Sequence, residues 1–180
     1  MTNLDMQNLN RETMKYLKKN ITVGMSLPEI RNICEKFMLE NGADSFWYWN
    51  VGAFVFSGDE TTVSVSGRTY QTSERIIGNN DIITVDLSPQ NNNVWGDYAR
   101  TIIIENGKVI ENTEDIHNNE WKQGVQMEQY LHKLLIENVT VNMTFEELFY
   151  YINDIISEHG FINLDFAGNL GHSIVENKDD

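Results

Sequence analysis

Apolar residues recur at helical spacing from about Asn3 to Lys19, where Met6, Leu9, Met14 and Leu17 share a stripe and Lys15, Lys18 and Lys19 gather near the end, favourably placed for the helix dipole. Ser26-Leu-Pro-Glu29 then reads as a capping box with proline in the first turn, and it predicts a helix through Ile30, Ile33, Cys34 and Phe37 that Gly42 ends. After Gly42 the period changes. Phe46 to Phe56, dense in aromatics, and Thr61 to Ser66, alternating Thr/Ser with Val, predict strands around a turn at Ser57-Gly-Asp-Glu60. Asp81 to Thr101 predicts a hairpin, two β-branched runs around Ser-Pro-Gln-Asn-Asn-Asn, and Asn106-Gly107 predicts a tight second hairpin. Helical spacing returns from Asn118 to Asn138, a second capping box at Thr144-Phe-Glu-Glu147 opens a helix that Gly160 closes, and Phe161 to Phe166 reads as a strand leading to Gly171-His172.

The Asp81–Thr101 hairpin carries the first chemistry. Folded about Asn91 and Asn92, it pairs positions whose numbers sum to 183 (86 + 97), which sets Asp86 opposite Asp97 on one face. Directly opposed residues have Cβ atoms roughly 4.5 to 5.5 Å apart, and like charges there repel. A divalent cation, or a pair about 3.5 to 4 Å apart bridged by both carboxylates, would relieve that repulsion. A bulge that turns one aspartate to water would relieve it as well.

A second pattern concerns the whole chain. Shifted by 118 positions (140 − 22), Thr22-Val-Gly-Met-Ser-Leu-Pro-Glu-Ile lies on Thr140-Val-Asn-Met-Thr-Phe-Glu-Glu-Leu, with Thr, Val, Met and Glu identical. The same shift aligns Leu17 with Leu135, Asn20 with Asn138 and Gly42 with Gly160, with no gap. Helix, capped helix, closing glycine and strand thus occur twice, which predicts one α+β domain over residues 1–180 built of two pseudo-twofold-related halves, about 3–111 and 118–180. The equivalents of Asp81 to Leu87 would fall at 199 to 205 (81 + 118, 87 + 118), beyond Asp180, so the second half is expected to be incomplete. Its uncovered sheet edge and apolar face favour self-association, with a homodimer as one outcome.

Composition narrows the partners. With 27 acidic against 13 basic residues the formal charge is −14, which opposes binding to nucleic acid or anionic membranes and suits cations or the amino terminus of a peptide. The start, Met1-Thr-Asn-Leu-Asp, carries no signal-like segment, and no run approaches the roughly 18 apolar residues of a membrane span, so a cytoplasmic protein is expected. The lone Cys34 excludes an internal disulfide and reads as a small buried hydrophobe. His117, His132 and His159 fall at a loop, a helix face and a helix end, where solvated or capping roles are expected.

Taken together, the capped helix ending in Gly42, the strand Gly-Asn-Asn-Asp-Ile-Ile-Thr-Val-Asp86, then Gly-Asp97-Tyr-Ala-Arg-Thr, and finally Gly-His172-Ser-Ile resemble the pita-bread metallopeptidases, which include methionine aminopeptidase, aminopeptidase P, prolidase and the non-peptidase creatinase. The resemblance covers nearly the whole chain and implies the pita-bread fold: a curved antiparallel sheet backed by helices. It also implies a dinuclear centre of Mn, Co, Fe or Zn with five protein ligands, of which three positions map here: Asp86, Asp97 and His172. The two remaining family ligands are glutamates further along, and Glu176 stands too soon after His172 to be either. Two departures bear on activity: Ser66 occupies the place of a substrate-binding histidine, and no second histidine follows His172. The implied function is a metal-dependent aminopeptidase-like hydrolase of the X-Pro aminopeptidase or prolidase type, acting on a peptide or small amide through a metal-bound hydroxide. The alternative is a catalytically inactive binding or scaffold protein on the same fold. On either reading the 180 residues alone are expected to lack the full site and peptidase turnover.

Overall fold

The computed structural model describes residues 1–165 and 168–174. It divides into two compact units, one holding residues 1–61 and 65–111, the other 62–64 and 112–172.

In the first unit, helix α1 (Asn3–Asn20) starts where Thr2 accepts the Asp5 N–H and Asp5 returns the bond to the Thr2 N–H. Helix α2 (Leu27–Glu40) starts on the predicted Ser26–Glu29 capping box and ends at Gly42, whose φ of 124° is cheap only without a side chain. Both helices lay their apolar stripes on a four-stranded antiparallel sheet of order β2-β3-β6-β7, formed by Ala53–Ser57, Asp81–Leu87, Tyr98–Glu105 and Lys108–Ile110. Strict alternation along β3 buries Ile83, Val85 and Leu87 beneath the helices and leaves Ile82, Thr84 and Asp86 on the other face. A smaller sheet, order β1-β4-β5 (Ser45–Phe46, Pro89–Asn91, Val94–Trp95), joins the tip of the predicted hairpin to the segment that follows α2. The second hairpin is as predicted: Glu105 pairs with Lys108 across Asn106-Gly107, both at positive φ.

Two stretches expected to be strands between α2 and β3 differ from that expectation. Phe46 to Phe56 is interrupted by turns, with Trp49 and Asn50 at positive φ, so that only its ends pair. Thr61 to Ser66 is not a strand: residues Gly58–Thr62 wind into a 3-10 turn closed by the Thr61 hydroxyl donating to Gly58 O (2.7 Å), and Ser66 caps the turn that follows by accepting from Arg68 N and Thr69 N.

The second unit contains α3 (Asn119–Asn138), capped by the Asn118 side chain, and α4 (Phe145–Glu158), opened by the Thr144–Glu147 capping box. Its second helix begins and ends in step with that of the first unit: Leu27 and Phe145 open their helices 118 positions apart (145 − 27), Glu40 and Glu158 end them (158 − 40), and both closing glycines, Gly42 and Gly160, take positive φ. Residues 161–165 form no strand, and Phe166 lies outside the described residues. Here side chains take the local backbone groups instead: the Asn163 amide donates to Gly168 O (2.8 Å), and Asp165 accepts from Asn169 N (2.9 Å). Among the described residues no helix is long and apolar enough to cross a membrane.

Candidate metal centre

Asp86 sits near the end of β3, half-buried, with its Oδ1 shielded from solvent. Its cross-strand partners are Ala99 on β6 and Phe54 on β2. Asp97 is half-buried in the link between Trp95 and Tyr98, one residue before β6 begins. The sequence-based expectation that Asp86 lies directly opposite Asp97 is therefore corrected: paired numbers sum to 185 (86 + 99), not 183.

The cause is the turn. Asn92 and Asn93, with φ of 49° and 67°, are the two central residues, and Asn91 pairs with Val94. The commonest two-residue hairpin turn needs both central residues left-handed, which asparagine tolerates. Two side-chain bonds hold it there: Asp44 accepts the Asn92 N–H (2.9 Å) and the Asn91 amide donates to Gly42 O (2.8 Å). Moving the turn by one residue shifts the partner by two, and an even shift preserves the face because side chains alternate with period 2. Counting back from Ala99, Asp97 thus keeps the parity of Asp86 and becomes its diagonal neighbour, a relation typically about 7–8 Å wide.

His172 belongs to the second unit, exposed beside Gly171 in a segment without regular structure. Among the described residues no three His, Cys, Asp or Glu side chains gather closely enough to hold a metal ion. Asp86 and Asp97 fit the carboxylate share of such a centre, since hard oxygen donors suit a divalent cation. They do not fit the complete five-ligand set that the resemblance implies. His159 takes the expected capping role, its Nδ1 2.9 Å from Ile155 O at the end of α4.

The sequence gives no sign of one feature of this face. Phe54, directly across from Asp86, packs at a tilt on Tyr70 (4.6 Å between centroids) and lies 5.7 Å from Tyr48, so the carboxylate's neighbours on the β2 side are aromatic. The aromatic density of residues 46–56 is visible in the sequence, but which ring meets the aspartate depends on strand register.

The family model described as metallopeptidase family M24 matches residues 5–178, and the chain belongs to that family. Solved structures with the same fold include an X-Pro aminopeptidase from Thermotoga maritima (TM-score 0.71, 17% identity, covering 87% of this chain and 40% of that one). Others are a prolidase from Pyrococcus furiosus (0.71, 21% identity, 86% and 41%) and an Xaa-Pro dipeptidase from Bacillus anthracis (0.71, 20% identity, 87% and 39%). At these identities the likeness establishes the α+β pita-bread fold. The chain spans about two fifths of the length of the structures it matches. No protein of curated function matches the chain.

Proposed function

We propose that this chain contributes the aspartate-bearing part of an X-Pro-type metallopeptidase site, in which Asp86 and Asp97 hold a divalent cation and a peptide amino terminus approaches along the face shared by Phe54 and Asp86. What supports the reading is that Asp86 lies on β3 and Asp97 one residue before the paired strand β6, in a chain that belongs to a metallopeptidase family. The X-Pro class rests on what the similar structures are named for. A bound divalent metal supplies Lewis acidity at the scissile carbonyl and lowers the pKa of water. For its part, the protein offers two anionic oxygen ligands and an aromatic wall beside them. We read residues 1–180 as one such domain in a cytoplasmic protein, and the charge of −14 supports a cationic partner over nucleic acid.

A second reading, a binding protein on the same fold without turnover, is favoured by Ser66 alone. The native gene product separates the two. Purified untagged, it should carry stoichiometric Mn, Fe, Co or Zn and hydrolyse X-Pro dipeptides, and Asp97→Asn should lower metal content together with kcat/KM, the latter on the order of 100-fold or more. A metal-free, well-folded product with no turnover on added Mn²⁺ would establish the binding reading instead.

A further inference from the structure

The last rung of the β3–β6 ladder joins Leu87 to Tyr98. Asp97 lies just beyond it, so its place relative to Asp86 is set by whatever holds the chain outside the ladder. Three contacts converge on its neighbour Gly96. The Gly96 N–H donates to Pro89 O (3.0 Å), and Gly96 O accepts the Trp47 indole N–H (3.0 Å). On the third side Gly96 abuts α1 so closely that a Cβ there would lie 2.9 Å from Asn10 Nδ2 and 3.1 Å from the Met6 carbonyl carbon. Met6 and Asn10 are both fully buried.

Trp47 also reaches the other strand. Its backbone N–H donates to Ser88 O (3.2 Å), two residues after Asp86, and its ring packs on Trp95 at 4.4 Å between centroids. One residue therefore bonds both strands just where they leave the ladder: Ser88 on the Asp86 side and Gly96 on the Asp97 side. We propose that Trp47 is the positioning residue of the aspartate pair, a staple whose two N–H groups fix the spacing between the Asp86 and Asp97 carboxylates. The inference rests on the reading of those carboxylates as metal ligands, and it adds a determinant contributed by the turn that follows β1. Residues that orient ligands from behind typically change metal affinity by about 10- to 100-fold.

The test is made on the full 180-residue chain with Trp47→Phe, which keeps an aromatic ring and the backbone N–H and removes the indole donor together with part of the ring. Mn²⁺ affinity measured by titration calorimetry should fall about tenfold, and amide exchange at Asp97 and Tyr98 should accelerate. Gln90→Ala serves as the control for loosening of the small sheet, since it removes the bond from Gln90 Nε2 to Ser45 Oγ (3.2 Å) without touching Gly96, and it should leave both readouts unchanged. Asp97→Asn tests the underlying reading: undiminished Mn²⁺ affinity in that variant, or none in the unaltered chain, counts against the carboxylates as ligands, while exchange at Asp97 and Tyr98 still decides the staple. Unaltered exchange at those amides in Trp47→Phe overturns the proposal, as does wild-type Mn²⁺ affinity in Trp47→Phe where Asp97→Asn has lost it.

Discussion

Cys34 lies on the apolar stripe of α2 with none of its surface exposed. Burial, and then the negative charge of Glu35, pushes its thiol up to about 12, so at neutral pH almost no thiolate exists to react. An aromatic disulfide reagent at pH 8 should accordingly leave the native chain unlabelled over the time in which the urea-unfolded chain reacts fully. Labelling of the native state at the unfolded rate would show that the α2 face opens readily. The neighbouring Glu35 joins two elements, because its Oε1 accepts from Arg31 Nε (2.7 Å) and Gly52 N (2.9 Å) and so ties α2 to the entry of β2. Nothing in its sequence surroundings marks it for that role, since Gly52 is brought to it by the fold.

Among the elements, α2 has the best-defined boundary. Ser26 accepts the Glu29 N–H, while Glu29 accepts the Ser26 N–H (2.7 Å) and hydroxyl (2.9 Å), and these bonds, the backbone one foremost, hold the Glu29 carboxyl below its ordinary value of 4.5. Leu27 N adds a bond to Arg75 O (2.9 Å), so the helix start is also stitched to the segment before β3. Ser26→Ala should cost about 1 kcal/mol in urea unfolding at pH 7. The sign of the pH effect follows from the lowered carboxyl: the Glu29 contribution is complete above 4.5 and is lost as pH falls through the folded value. The stability difference between Glu29→Gln and the unaltered chain should therefore be present at neutral pH and disappear in acid. A difference that grows on acidification would contradict the capping role.

On the scale of the molecule, the two units are built from like helix pairs with unlike cover. In the first, Leu17, Leu27 and Ile30 are fully buried against the sheet face that carries Val55, Ile83 and Ile102. In the second, Met127, Ile152 and Ile156 form a small cluster between the helices, while Phe145, the counterpart of Leu27, is 80% exposed and Val141 is 100% exposed. Among the described residues the second unit contains no strand. Opening free energy follows buried apolar contact, so native-state hydrogen exchange should be markedly faster in α3 and α4 than in β3 and β6. Equal protection in both would mean that the exposed face of α4 is covered in solution.

The sequence by itself determined what depends on near neighbours: the caps at Ser26 and Thr144, the closing glycines, the Asn106-Gly107 turn, and helices repeated in register 118 positions apart (145 − 27). It also determined the face on which Asp86 stands, opposite to Ile83 and Val85, because the two-residue period of a strand survives an even slip in register. Only the tertiary structure decided which rung each aspartate occupies, since that depends on Asp44 and Gly42 fastening the turn at Asn92-Asn93 from 48 and 49 residues away. Likewise Thr61–Ser66 and residues 161–165 have strand-like composition without becoming strands. A strand exists by pairing with distant backbone, and here nearby groups take part of it: Ser66 O accepts the Thr69 N–H and the Asn163 side chain accepts the Asp165 N–H.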